Sequence, residues 1–344
     1  MNLRTSTLHR ATLRLAASTL AAVGIAAGHS ARSALPHYYA VILSGSGCPG
    51  GSLVVHNART GATLATAPAP ENWDYLQVTG AANDTTFVIG SLSAAPGYNY
   101  VFLLARFDAS RNAISVRQVP IPAMNVPPDG FDQSPDGTKL AVALRSNPSG
   151  SGSGELRIYS LATGAARVWT TTGVIDWLSN NQGLSWGPRG TLAFDWSRPI
   201  NDRAEASQQG IRVLNTNTKT GNLLTASRLV VRQDQPAGYV LQGRFAVTDE
   251  GREIVSVVER VHSPLVSQYE LFAMGTGQAV RAFLPSKQRF ESVWWANSAG
   301  TVLAGDLPGS GKSTGLSVLE WITGTTHTHT AIKGVPGGPL AITF

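Results

Sequence analysis

Ser134-Pro135-Asp136-Gly137-Thr138-Lys139-Leu140-Ala141-Val142 and, further along the chain, Leu161-Ala162-Thr163-Gly164 are the stretches that decide the fold. The first joins a tight turn to an apolar run, which is typical of a β-hairpin, because Gly, Asn and Asp tolerate the positive φ that such turns require. The second is a Thr-Gly-type turn between two further strands. Together they predict a unit of four short strands.

Related turns recur along the chain at a nearly constant period. The Thr-Gly series consists of Thr60-Gly61, Arg111-Asn112, Thr163-Gly164, Thr220-Gly221, Thr276-Gly277 and Thr323-Gly324. Neighbouring members lie 51, 52, 57, 56 and 47 residues apart, a period that fits four short strands per blade. We therefore predict an all-β fold, a six-bladed β-propeller of four-stranded antiparallel blades, with seven blades as the alternative.

The two ends of the repeat predict how the ring closes. Residues 38–43 have the pattern of a second strand with no first strand before it, whereas residues 339–344 have that of a first strand with nothing after it. We expect the C-terminal strand to complete the N-terminal blade. Such closure also covers strand edges that would otherwise promote aggregation.

The N-terminus has the pattern of a secretory signal. Three arginines, Arg4, Arg10 and Arg14, precede an apolar, alanine-rich run over residues 15–28, and small residues follow it. We assign residues 1–34 to a signal peptide or N-terminal anchor and residues 35–344 to a single β-propeller domain. The protein is then secreted or extracellular. The alternative is a protein held at the membrane by residues 15–28.

Charge argues against nucleic acid as a partner. The chain carries a formal net charge of +6. Residues 1–34 contain four arginines and no acid, so their removal leaves a charge of +2. A mature chain of this charge without a basic run has no electrostatic basis for binding nucleic acid. We expect a monomer that binds a protein, a peptide or a cell-envelope component, and that meets a membrane only if the N-terminal segment is retained.

Several motifs resemble known sites but lack their context. Residues 304–314 resemble a nucleotide-binding P-loop, yet Asp306 occupies the position of the first required Gly, and a strand pattern rather than a helix follows. Residues 311–315 match the Gly-x-Ser-x-Gly motif of α/β-hydrolases, but the strand-to-helix turn that forms a nucleophile elbow is not predicted here. Cys48 is the single cysteine, which excludes an intrachain disulfide. We interpret all three segments as loops.

No metal or cofactor site is predicted. His327 and His329 alternate on a predicted outermost strand, where positions i and i+2 face the same side. They lack a third ligand within sequence reach, so we interpret them as a solvated edge. The predicted innermost strands offer Asp132, Arg244 and Glu291, a set too sparse for a metal cage. We therefore expect no cofactor, no metal and no catalytic residue.

The candidate binding residues lie in irregular segments that antiparallel topology brings to one face of the ring. The loops that follow the second and fourth strands of each blade emerge on that face, and binding residues tend to lie on loops held by a rigid scaffold. Polar segments there, together with a tryptophan that offers a flat contact surface, give the candidates Trp196, Arg198, Asp202, Arg203, Glu259, Arg260 and His262.

Residues 134–142 resemble the TolB-type, WD-like propeller repeat, and residues 184–194 are similar to those of uncharacterised secreted actinobacterial propellers. The resemblance implies a binding or scaffolding propeller and supplies no catalytic residue. We expect a secreted binding module whose binding face is formed by the long loops after the second and fourth strands of each blade. The alternatives are a propeller enzyme, such as a lyase or lactonase with a site at the channel mouth, and a membrane-held sensor domain.

Overall fold

The fold consists almost entirely of β-strands, as the repeat predicts. The computed structural model describes residues 36–44, 50–93, 99–145, 153–171, 177–178, 183–199, 206–232, 239–248, 250–260, 267–286, 292–296, 301–305, 318–323, 326–333 and 339–343. In these ranges the strands of the first half are β1 (Tyr38–Ser44), β2 (Gly51–Asn57), β3 (Thr63–Pro68), β4 (Trp73–Gly80), β5 (Thr86–Ser93), β6 (Asn99–Asp108), β7 (Ala113–Gln118), β8 (Gly130–Gln133), β9 (Lys139–Arg145), β10 (Gly154–Ser160), β11 (Ala166–Thr170), β12 (Trp177–Leu178) and β13 (Leu184–Trp186).

The strands of the second half are β14 (Thr191–Pro199), β15 (Ala206–Asn215), β16 (Gly221–Asn222), β17 (Ser227–Arg232), β18 (Tyr239–Val247), β19 (Glu253–Arg260), β20 (Ser267–Ala273), β21 (Ala279–Ser286), β22 (Ser292–Ala296), β23 (Thr301–Gly305), β24 (Val318–Thr323), β25 (Thr326–Lys333) and β26 (Pro339–Thr343). Two short helical turns interrupt them, a 3₁₀ turn at Pro188–Gly190 and the helix α1 (Leu223–Ala226).

The strands pair into small sheets that follow one another along the chain. The sheet orders are β4-β5-β6-β7, β8-β9-β10-β11 with β16 at its outer edge, β12-β14-β15-β17 with β13 also on β14, β18-β19-β20-β21, and β22-β23-β24-β25. Each of these sheets arises from one continuous stretch of chain, apart from β16. Pairing is antiparallel throughout except between β11 and β16. The prediction of an all-β propeller with antiparallel sheets is confirmed.

A further sheet combines the two ends of the chain. Its order is β26-β1-β2-β3, and β26 runs antiparallel to β1 with Val41 opposite Ile342. The predicted pairing of the C-terminal strand with the N-terminal sheet is therefore confirmed. Because the first strand of this sheet comes from the end of the chain, the two ends hold each other in place.

The core lies between neighbouring sheets rather than within one. Ile42 and Val55 pack with Phe87 and Val101 of the next sheet, and the same arrangement recurs between β4–β7 and β8–β11, between β8–β11 and β12–β17, and between β12–β17 and β18–β21. The sheets β4–β7, β8–β11 and β12–β17 therefore bury both faces. Alternating residues of one strand contact different neighbours.

Hydrogen bonds from arginine side chains connect some neighbouring sheets at their outer edges. Arg228 on β17 donates hydrogen bonds to the carbonyl oxygens of Gly275, at 2.8 Å, and Met274, at 2.6 Å, in the β20–β21 turn of the next sheet. Arg167 on β11 donates in the same way to Thr216 O and Thr218 O. These bonds satisfy turn carbonyls that no strand partner reaches.

The Thr220-Gly221 turn differs from the sequence prediction. The chain turns earlier, where Thr218 N–H donates to Asn215 O, and Gly221 belongs to β16, which pairs in parallel with β11. Asn222 then caps α1 by accepting from the Thr225 N–H at 3.0 Å. Residues 219–222 therefore cover the outer edge of the preceding sheet, where the Trp169 Nε1–H donates to Lys219 O.

Candidate functional site

The ends of the second strands and the starts of the first strands define the face on which the candidates were expected, which we call the loop face. In an antiparallel sheet, alternate connections emerge at the same end. The second strands β5, β9, β14 and β19 end there at Ser93, Arg145, Pro199 and Arg260. The tight turns at Gly137, Gly164 and Gly277 lie on the opposite face.

Trp196 and Arg198 lie on β14 close to the loop face. Trp196 is only 2% exposed, because it packs among Trp169, Leu178 and other residues between two sheets. The guanidinium groups of Arg198 and Arg212 lie 5.5 and 5.0 Å from the centroid of its ring. Trp196 therefore does not present a flat surface to a ligand. It supports two cations through cation–π contacts.

Arg212 is held in place by the main chain. Its side chain donates to Ser227 Oγ at 2.9 Å, to Leu224 O at 2.8 Å and to Ser227 O at 2.9 Å. It therefore has a structural role beneath the loop face. Arg198, which is half-buried, is the cation of this pair that lies nearer the strand end.

Glu259 and Arg260 end β19, so the structure places them on the loop face like Arg198. Glu259 is 9% exposed. Its neighbour Val258 packs against the sheet of β14, so Glu259 lies on the opposite face of β19. The described residues therefore do not form one cluster around Arg198. The remaining candidates, Asp202, Arg203 and His262, lie outside the described residues.

Asp132 on the innermost strand β8 has a structural role. Its carboxylate accepts a hydrogen bond from Thr79 Oγ1 on β4 and another, at 2.9 Å, from the Trp186 N–H on β13. The Trp186 indole N–H also donates to Asp132 O at 2.9 Å. This residue therefore joins three neighbouring innermost strands. Glu291 lies outside the described residues.

Metal ligands do not cluster in the part of the chain that the structure describes, where no group of three His, Cys, Asp or Glu side chains is placed to hold a metal ion. His327 and His329 lie on β25, as the sequence predicts. His327 is opposite Ile322 and His329 is opposite Trp321, with a bulge between them.

The segment 119–129, which joins β7 to β8, reaches the loop face as an ordered connection. Tyr100 N–H donates to Met124 O at 2.7 Å, and Met124 N–H donates to Tyr100 O at 2.8 Å. Within this segment Ile121 is buried, whereas Val126 is 45% exposed. Sequence analysis did not select any of these residues as a candidate.

A buried polar seam between β12–β17 and β18–β21 was also missed by sequence analysis. Asp195 is 0% exposed and Ser197 is 2% exposed. Ala193 packs against the next sheet. Asp195 and Ser197 lie two and four residues after it on the same strand, so they face that sheet as well. Glu270, at 4% exposed, faces this seam from β20, two residues before Phe272. An alternating polar residue in an apolar strand was the only signal in the sequence.

Glu270 gives the seam a dependence on pH. Burial raises the pKa of its carboxyl group, and the hydrogen bond from Gln268 Nε2 to Oε2, at 2.9 Å, opposes this only in part. A raised pKa means that the folded state binds more protons than the unfolded state. The contribution of Glu270 is therefore most favourable below its ordinary value of 4.5 and is lost as the pH rises through the folded-state pKa.

Replacing Glu270 by glutamine should therefore raise the free energy of unfolding at pH 7 and leave it nearly unchanged at pH 4. The amide keeps an acceptor for Gln268 but carries no charge to be desolvated. Urea denaturation between pH 4 and pH 8 measures the difference, and Glu71→Gln on the exposed surface is the control. A loss of stability at pH 7 would show that Glu270 is stabilised as a carboxylate.

The other sequence motifs fall outside the described residues. These are Cys48, residues 306–314 of the P-loop-like stretch and residues 311–315 of the Gly-x-Ser-x-Gly stretch. Within the described ranges, no helix is long and apolar enough to cross a membrane.

Comparisons with known proteins identify the fold. No family model matches the sequence, and neither does any curated protein. A TolB-like protein of Agrobacterium tumefaciens superposes with a TM-score of 0.55 at 14% identity, over 84% of this chain and 92% of that one. This chain has the fold of the TolB-type β-propellers.

Two enzymes also match, with lower TM-scores. The periplasmic gluconolactonase of Pseudomonas aeruginosa matches with a TM-score of 0.46 at 13% identity, over 88% of this chain and 97% of that one. A prolyl endopeptidase matches with a TM-score of 0.44 at 16% identity, over 77% of this chain and 35% of that one. The superposition on the TolB-like protein confirms, at the level of the fold, the resemblance to TolB-type propellers predicted from residues 134–142.

Proposed function

We propose that this protein is a secreted, non-enzymatic β-propeller that binds a protein, a peptide or a cell-envelope component on its loop face. The observation that carries the proposal is the segment 119–129, which is fixed by main-chain hydrogen bonds to β6 and presents exposed apolar side chains at that face. A preordered loop loses little conformational entropy when it binds a partner. Asp132, an acid that a channel-mouth enzyme would need, is used to join innermost strands.

We further propose six blades. Five sheets built from continuous stretches of chain, together with the sheet that combines β26 with β1–β3, support this number. A seventh blade would need a further run of strands that the turn series does not contain. In this arrangement, the candidates Arg198, Asp202, Arg203, Glu259, Arg260 and His262 belong to one loop face.

Secretion belongs to the same proposal. Its support is the arginine-flanked apolar run over residues 15–28. N-terminal sequencing of the protein from the culture medium should find a start near residue 35. An intact Met1 in a membrane fraction would instead indicate the membrane-held sensor domain.

Binding on the loop face is tested by replacing Arg198, Arg203 and Arg260 together by alanine. We expect the dissociation constant for a partner, captured by crosslinking in the medium and then purified, to rise at least ten-fold, because charged interface residues fix the orientation of a partner. Biolayer interferometry measures the change. The matched control replaces Arg59, Arg111 and Arg252, exposed arginines at tight turns of the opposite face.

Equal affinity of the loop-face variant and the control variant would place binding elsewhere. Metal analysis of the purified protein separates a binding module from an enzyme. The proposal expects no stoichiometric Ca²⁺ or Zn²⁺, and one equivalent of either would favour the lyase or lactonase alternative.

A further inference from the structure

The segment 119–129 forms main-chain hydrogen bonds with neighbouring strands at both of its ends. At its start, Val119 N–H donates to Phe102 O at 3.2 Å, and at its end, Asp129 N–H donates to Ala143 O at 3.0 Å. Its middle forms the bridge between Met124 and Tyr100. Val119 and Ile121 are buried with Phe102 and Phe131 between two sheets. The segment is therefore a fixed part of the surface.

Gly90 on β5 leaves space for the side chain of Tyr100, the residue whose main chain pairs with Met124 of the segment. A Cβ atom at Gly90 would lie 1.9 Å from the Tyr100 hydroxyl oxygen and 2.8 Å from the ring of Phe131. Without a side chain at position 90, the ring of Tyr100 packs fully inside, where it is 1% exposed. The Tyr100 main chain then stays in position to pair with Met124.

The outer surface of the segment is mostly apolar, and residues 119–128 carry no charge. No Asp, Glu, Lys or Arg lies between Arg117 and Asp129. Its exposed residues are Pro120, Pro122, Ala123, Asn125, Val126 and Pro127. Val126 is one of the three large hydrophobic side chains that are exposed in the described part of the chain.

We propose that the segment 119–129 is a docking surface for the aromatic side chains of a protein partner. Prolines and small apolar side chains on a fixed backbone are the groups that aromatic-lined grooves recognise, because they bury apolar area at little cost in entropy. Since residues 119–128 carry no charge, neither an acidic nor a basic partner gains electrostatically from their exposed side chains. Surfaces that bind lipid combine apolar residues with Lys or Arg, and no such residue lies between Arg117 and Lys139.

This inference rests on the proposed binding role, and it is tested with peptides of random sequence displayed on phage. Selection on the immobilised full chain should recover uncharged peptides rich in Trp, Tyr and Phe. A synthetic copy of one such peptide, measured by fluorescence polarisation, should bind Val126→Asp at least ten-fold more weakly than the unchanged chain. The matched control is Val280→Asp, which changes a valine on β21 that is 55% exposed and should leave the affinity unchanged.

The outcomes separate this surface from the wider binding role. Aromatic peptides that bind Val126→Asp normally would overturn the docking surface and leave the loop face intact. A charged consensus would also overturn it, and recovery of no peptide would count against both proposals. Binding of anionic or neutral phospholipid vesicles that Val126→Asp abolishes would identify lipid as the occupant, and a dimer that Val126→Asp disrupts would identify a second copy. Unchanged melting temperatures show that both variants fold.

Discussion

Alanine at position 277 should destabilise the propeller by about 2–5 kcal/mol. Gly277 lies in the β20–β21 turn with a φ of +72°, which costs an L-residue about 1–2 kcal/mol. A Cβ atom there would also lie 1.7 Å from Val230 O, a main-chain atom of the preceding sheet. The two sheets would have to separate to admit it, and overpacking of this kind costs about 1–3 kcal/mol. Urea denaturation and thermal melting measure the loss.

Gly137→Ala separates the two causes. Gly137 has nearly the same φ, +70°, but its nearest neighbour is the Ala81 Cβ at 3.4 Å, an ordinary contact. This variant should lose only about 1–2 kcal/mol, the cost of the backbone conformation alone. If both variants lost the same amount, the contact with the neighbouring sheet would be irrelevant. Gly164, where a Cβ atom would lie 1.9 Å from Pro120 O, should behave like Gly277.

Replacing Asp132 by alanine is expected to cost about 3–6 kcal/mol. The change removes the acceptor for Thr79 Oγ1 and leaves the Trp186 N–H without its carboxylate partner. Hydrogen bonds to charged groups contribute about 1.5–3 kcal/mol each, and a buried donor without a partner carries a desolvation cost. Because the residue joins β4, β8 and β13, the loss should appear in global unfolding.

Asp132→Asn refines this test. An amide oxygen can still accept one of the two hydrogen bonds, so the loss should be about half of that for alanine. Glu71→Gln, on the exposed surface, serves as the control for loss of a negative charge. If Asp132→Ala unfolded like the unchanged chain, the residue would be free for another role, and the enzyme alternative would regain an acid at the channel.

Local features of this protein were predicted correctly from the sequence because short stretches of chain decide them. The turn at Pro135-Asp136-Gly137 is an example, since Asp136 Oδ1 accepts from Thr138 N–H at 3.0 Å and Gly137 supplies the positive φ. The closing pair of β26 and β1 was also predicted, because counting strands along the repeat left one at each end. The Thr220-Gly221 turn was wrong, since docking of β16 on β11 overrides the local turn signal.

The roles of the site residues were less accessible to sequence analysis. Trp196 was expected to offer a contact surface, but the facing sheet covers it. Asp132 was considered as a member of an incomplete metal site. Its carboxylate instead accepts hydrogen bonds from residues about 54 positions away in sequence. Each outcome depends on a neighbour in space, which a residue's own sequence context does not contain.

The sequence by itself determined the repeat, the all-β class, the positions of most turns and the strands that meet at the ends of the chain. These depend on φ preferences and on the period of apolar residues, which act over a few residues. Only the tertiary structure decided why glycine is needed at positions 164 and 277, which acid joins the inner strands and which loop is fixed with its apolar side outward. Those properties arise where one sheet packs against the next, because a Cβ atom or a carboxylate is tolerated or required according to the atoms that the neighbouring sheet places beside it.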